Sequence, residues 1–366
     1  EALMRPSIAE DYYAEYPPTD PDTAFHSISA AQKTQFLSDN RTAFAKLEEG
    51  LKYPYFAVQP RSVSFTFPFF AKDREMARAL VFGGRVKAER GDLTGAMRYY
   101  LDAMNIGSDL PHGAGLLGAL VGAMCEATGR RRIESTIDQL NVLQCQTAIS
   151  QLDKMDSDRQ PAFETLVEQK WSEQADILEL KKPRAWHEFA KSYGGDLLST
   201  IVFKFESPQT ACHIFTSYMN KLIAHSKEPW PEQNSTPPPA VPNDAYCMIF
   251  APVDPATFRI YEASSLDRLL ILQIRLHEYR LQHGMCPTLL NKLVASCIHQ
   301  KPSDPFTNGS PLIYKIVGKS YLLYSVGPDS VDNGGTPIVT SATTPFGRHL
   351  VRDAAQKGDI VAGVNH

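Results

Sequence analysis

At 366 residues, with 43% hydrophobic and 10% aromatic content, the chain can fill the cores of two or three compact units. Its 37 basic and 41 acidic residues leave a net charge of −4, which supplies no field to gather nucleic acid or anionic lipid. The one dense basic run, Arg130-Arg131-Arg132, lies between two helical patterns and is expected to be a helix end with solvated charges, not a phosphate site.

Residues 1–24 are rich in Tyr, Pro and Asp (Asp11-Tyr12-Tyr13, Tyr16-Pro17-Pro18) and read as an extended lead-in. Because the chain opens on Glu1 and not on methionine, a signal or anchor upstream of residue 1 is expected. Within the chain, the most apolar stretch, 113–124, falls short of the roughly 20 residues that a membrane span requires.

Phe36, Phe44 and Leu47 recur at helical spacing over about 30–51, and a Pro- and aromatic-rich connection over 53–70 then resets the direction. From Arg74 to Met104 the apolar positions predict a helical hairpin broken at Gly91-Asp92. Gly84, Gly91, Ala96, Tyr100 and Ala103 match the spacing of a tetratricopeptide unit, in which small residues let paired helices approach and an aromatic fills the groove. No second copy follows; 113–129, 133–152 and 160–225 look helical but irregular. The segment from Pro229 to Pro239 is dense in proline, which argues against helix and for either a domain boundary or a long surface loop.

Beyond it, 256–283 predicts one long helix with Leu266, Leu269, Leu270, Ile274, Leu276 and Leu281 in an apolar stripe. Asp267, Arg268, Arg275, Glu278 and Arg280 occupy its polar face, so the helix is expected to lie on a surface. Gly284 stops it, a short Leu-rich helix (Leu289, Leu290, Leu293) follows, and 312–317 and 320–326 alternate as strands about Gly318-Lys319.

This order of helix, Tyr279-Arg280-Leu281-Gln282-His283-Gly284-Met285-Cys286-Pro287, Asp304-Pro305-Phe306, hairpin and Tyr324-Ser325-Val326-Gly327-Pro328-Asp329 resembles the head domain of the major pseudopilins of type II secretion, over roughly residues 260–335. True pseudopilins are short and begin with a hydrophobic assembly helix, whereas some 250 residues of other protein precede this head. The whole chain is similar to large envelope proteins of planctomycete-type bacteria that carry an N-terminal membrane anchor. That resemblance implies the bacterial envelope, on the periplasmic side of the inner membrane, and no established enzymatic activity.

The resemblance also implies a calcium site in the loop after the last strand, here Gly327 to Gly335, with Asp329 and Asp332 as leading ligands and Asp359 as the third. A hard cation takes oxygen ligands, and glycines let carbonyls wrap inward; Asp and Gly are equally ordinary turn formers, and the insertion from Thr336 to Arg352 departs from the family pattern. Asp304 is expected to bond neighbouring backbone while Phe306 plugs the small core. His277 and His283, six apart on one helix, face different ways and are expected to be solvated and not a metal pair. Six scattered cysteines show no zinc spacing; they read as buried free thiols, with Cys286 and Cys297 placed to bridge in an oxidising compartment.

The expected architecture is therefore α+β: a lead-in (1–24), an irregular α-helical domain with one repeat-like hairpin (25–228), a Pro-rich linker or loop (229–252) and a small pseudopilin-like head (253–366), with the long helix able to join the two units into one body. Function is expected to be non-catalytic, through protein partners held in helical grooves, with an assembly component of a secretion or pilus-like machine as the alternative. A hydrolase is the third reading: no His-Glu-x-x-His, Gly-x-Ser-x-Gly or phosphate loop is present, and His187-Glu188 and His112 stand alone. A concave pocket holding a histidine and two carboxylates with shifted pKa values would raise that reading.

Overall fold

The computed structural model describes residues 25–57, 61–62, 67–182, 205–242, 253–293, 302–318, 320–338, 342–344, 347–349 and 356–363. The lead-in 1–24, His187-Glu188, Cys247, and Cys297 with its pairing to Cys286 lie outside them.

Ser29 accepts the amide of Gln32 at 3.3 Å while the Gln32 side chain accepts the amide of Ser29 at 3.0 Å, a reciprocal cap that starts α1 (Ala30–Asp39). The single helical stretch expected over 30–51 is two helices. Buried Asn40 turns its side-chain amide back onto the Phe36 carbonyl at 2.9 Å, ending α1 and redirecting the chain into α2 (Arg41–Gly50). The expected hairpin follows as α3 (Pro68–Glu89) and α4 (Leu93–Asp109), with Asp92 capping α4 through the amide of Gly95. A Cβ on Gly84 would run into the Tyr100 ring, so the missing side chain is what brings the two helices together.

α5 (Gly115–Glu134) crosses α4 where Gly107 meets Gly122, each so close that a Cβ would strike the other's carbonyl. A 3-10 turn (Ile137–Gln139) and a second reciprocal cap, Asn141 with Gln144, lead into α6 (Val142–Asp158). α7 (Ala162–Leu180) and α8 (Pro208–His225) pack against each other, and Leu166 and Ile223 share a small core with Leu116 and Ala256.

The proline-dense segment does contain a helix, α9 (Trp230–Ser235), which corrects the expectation drawn from proline content. Pro231 sits in its first turn, where an amide has no intrahelical partner to lose, and the helix ends before Pro237. α9 is no linker: Trp230 is buried edge-on against Phe306, with centroids 5.2 Å apart, and against Tyr261 at 4.9 Å.

α10 (Val253–His283) is the expected long helix. Its tip is followed by an antiparallel hairpin, β1 (Ile313–Val317) with β2 (Ser320–Ser325), in the register Ile313↔Tyr324 to Val317↔Ser320. The insertion holds a second hairpin, β3 (Ala342–Thr344) with β4 (Gly347–His349), and the chain then returns as β5 (Ile360–Val361), pairing with β2 to complete a three-stranded sheet ordered β1-β2-β5. The fold is mostly helical with this small antiparallel sheet, an α+β arrangement.

Two cores meet on α10. Leu270, Ile271 and Ile274 join the core of α1 to α6, while Phe258, Leu266, Leu269, Leu272 and Leu276 join Trp230, Phe306, Leu323 and Ile360 in the head core. Burial of each such side chain contributes about 1.5–3 kcal/mol, so α10 is held strongly from both sides. Its polar face lies on the helical half, with Asp267 and Arg275 buried there and Arg280 exposed at the end. Arg268 pairs with Asp156 at 3.0 Å, Arg275 with Asp153 and Arg280 with Asp138, while buried His277 sets Nε2 3.0 Å from the Leu140 carbonyl. Only His283 of the two histidines is exposed, and Leu281, placed in the apolar stripe, is exposed too.

Candidate functional site

Asp304 and the loop after β2 build the head. Asp304 is buried and accepts from the Phe306 amide at 3.0 Å, Ser325 Oγ at 2.8 Å and the Val326 amide at 2.8 Å. Burial pushes its carboxyl up, and these three donors work against that shift. Phe306 fills the core beside it, so both residues have the structural roles expected of them.

The pairing of β5 with β2 returns Asp359 to the loop that carries Asp329 and Asp332. Asp359 accepts from the amides of Asn333 at 3.2 Å and Gly335 at 2.6 Å. Asp329 accepts from the Val331 amide at 3.1 Å and the Asn333 side chain at 3.1 Å, and Asp332 from Tyr324 Oη at 2.7 Å and the Gly334 amide at 2.8 Å. Turn chemistry thus occupies oxygens of all three. The Asp359 carboxyl is nevertheless pushed up, by burial first and then by the charges of Asp332 and Asp329, against the pull of its two amides. α9 secures the same loop, since Trp230 Nε1 and Asn234 Nδ2 both donate to the Pro328 carbonyl, at 2.9 and 3.0 Å.

Two cavities adjoin along α4 and α6, together the α4–α6 cleft. One end, of ≈450 Å³, is lined by Met97, Arg98, Gln144 and the exposed Leu143; the other, of ≈390 Å³, is lined by Glu48, Asp102, Asp109, His112 and Lys154. Leu101 and Gln151 belong to both ends. Burial, reinforced by the charge of Glu48 and opposed by Arg98, pushes the Asp102 carboxyl up to about 7, and burial likewise raises Asp109. His112 Nδ1 lies 3.0 Å from the Asp109 carbonyl. His112 therefore does not stand alone, and the sequence carried no motif that would have joined it to Asp102 ten residues upstream on α4.

A third constellation lies at the seam of α5, α10 and the link between α6 and α7. Arg159 holds Glu126 through two bonds, of 3.0 and 3.3 Å, and also bonds Asp267, which takes a second guanidinium from Arg130 at 2.6 Å. Arg130 is buried, so the run Arg130-Arg131-Arg132 is not a uniformly solvated helix end. The signal for this was phase: Glu126 and Arg130 fall in step with Gly122, Cys125, Gly129 and Ile133 on the buried side of α5. Burial raises the Glu126 carboxyl to about 7, opposed by Arg159 and reinforced by Asp267, whereas its carboxylate neighbours hold both guanidinium groups more firmly charged.

The chain matches no family model, no curated protein and no solved structure.

Proposed function

We propose that this chain is a non-catalytic protein of the bacterial cell envelope that acts through protein contacts, its α4–α6 cleft being the interaction surface. The observation that carries this reading is the cleft itself, two adjoining cavities that share Leu101 and Gln151 and are flanked by an exposed leucine on a helix whose other side is fixed by the core. The likeness of the α3–α4 hairpin to a tetratricopeptide unit draws support from the Gly84–Tyr100 contact. Kinship of the head with the pseudopilins draws support from the long helix, the Asp304 turn, the hairpin and the return of Asp359, and from it come the envelope location, the anchor upstream and the alternative role as an assembly component.

A photo-crosslinker at Leu143, with another at exposed Lys221 as control, tests the contact reading in the native organism. One defined adduct from position 143 alone, lost on Arg98→Glu, is expected; equal labelling from both positions overturns it. Fractionation of the full-length protein tests location: recovery with membranes, and protease access only after the outer barrier is opened, is expected.

Calcium at Asp329, Asp332 and Asp359 belongs to the same proposal, supported by the charges of Asp332 and Asp329 bearing on the Asp359 carboxyl, which a divalent cation would relieve. Millimolar calcium should raise the melting temperature by several degrees over chelator; superimposable curves remove the site.

One observation favours a second reading. His112, Asp102 and Asp109 line one cavity, and a histidine with two carboxyls raised by burial, of which Asp109 feels the charge of His112, is a set of acid–base groups suited to hydrolysis. Turnover of an ester or peptide library that disappears in both Asp102→Asn and His112→Gln would select it over the non-catalytic reading.

A further inference from the structure

Glu126, Arg159, Asp267 and Arg130 tie three elements together with two carboxylates and two guanidinium groups, and the sharing is unequal. Asp267 receives both guanidinium groups. Glu126 is hydrogen-bonded only by Arg159 among the described residues, which it shares with Asp267, and it feels the charge of Arg130 without a bond to it. Its side chain is 2% exposed, so bulk solvent does not make up the shortfall. The other faces around Glu126 are neutral: Gly107 of α4, Thr165 of α7, and Ile260 and Ala263 of α10. The remaining charged or titratable groups that act on this cluster are Glu134 and Asp156, through the two arginines, and the thiol of Cys125, which feels Glu126.

A buried carboxylate whose bonded counter-charge is shared with a second carboxylate is more easily kept neutral than ionised. Beside it lies a cavity of ≈20 Å³, room for one water molecule, bordered by Glu126, Arg159 and the fully buried Thr165. A proton thus has a place to arrive without the helices parting.

We propose that this seam is a proton-operated clasp, tighter with Glu126 neutral and looser with it ionised, which sets how firmly α10, and through it the head, is held on the helical half. The inference is independent of what the cleft binds.

The sign follows from linkage. In the closed seam the Glu126 carboxyl is raised to about 7, and once the seam opens to water it returns toward its ordinary value, so the closed state binds the proton more strongly. Stability conferred by the neutral form is present in full at acid pH and is lost as pH rises through the folded value. Opening should therefore increase roughly tenfold from about pH 6 to about pH 8 and then level off.

Hydrogen exchange of α10 amides over 260–268, corrected for intrinsic rates, reads this opening, with α3–α4 amides as the internal control. We expect protection of α10 to fall by roughly tenfold over that interval in the wild type and to stay flat in Glu126→Gln, which mimics the neutral form. A flat wild type, or a Glu126→Gln variant that keeps the pH dependence, overturns the clasp. Should the variant not fold, the side-chain carboxyl carbon of Glu126, followed by NMR in the wild type, decides the matter: a midpoint between about 6 and 8 supports the proposal, and one below about 5.5 overturns it.

Discussion

Three donors converge on Asp304, two of them backbone amides from separate segments whose side chains share the head core, so one short side chain helps to close the head. Asp304→Ala leaves two buried amides unpaired and takes the acceptor from Ser325 Oγ, and urea denaturation should show a loss of about 3 kcal/mol or more; Asp304→Asn, which keeps one acceptor oxygen, should lose less. Asp102 presents the opposite case. Its carboxyl is raised by burial, so the folded state holds a proton that the unfolded chain releases, and the associated stability is lost as pH climbs from about 4 to about 7. Asp102→Asn removes that loss. Its melting temperature should exceed that of the wild type by a few degrees at about pH 8, and the gap should close only below about pH 4, where the carboxyl is neutral in both states. Of these two residues only Asp304 was legible in the sequence, because Asp-Pro-aromatic is a local turn signal, whereas the burial of Asp102 depends on α2 closing over α4.

At the scale of elements, strongly periodic segments were legible and partnered ones were not. Pro68–Glu89 and Leu93–Asp109 follow from apolar spacing and a turn glycine, and the β1–β2 register follows from alternation about a two-residue loop. The strand β5 escaped notice because two residues carry no period; only its partner β2 makes it a strand. α9 escaped because proline was weighed by count and not by position. α10 was seen, but Leu269-Leu270-Ile271-Leu272 is four apolar residues in succession, a mark of burial on more than one side that a single stripe does not explain. If α9 belongs to the head core, Trp230→Ala should cost about 3–5 kcal/mol and also free the loop at Pro328, which protease nicking after that loop would report.

For the whole molecule, the ion pairs along α10 are long-range in sequence: Arg130 reaches Asp267 across 137 positions, and no local pattern announces such a bond. Asp267→Ala would strand the buried guanidinium of Arg130 and leave Arg159 to Glu126 alone, and should destabilise the entire chain by about 3–5 kcal/mol, with helical and aromatic signals melting together. Melting in two separate steps would contradict a shared spine. That spine also governs how the chain can be divided. A fragment severed between α9 and α10 keeps Leu270, Ile271 and Ile274 as a bare greasy ridge on one piece and leaves Trp230 stranded on the other. Neither piece inherits a finished interior, so any dissection intended to ask what each half does must carry α9 and α10 on both.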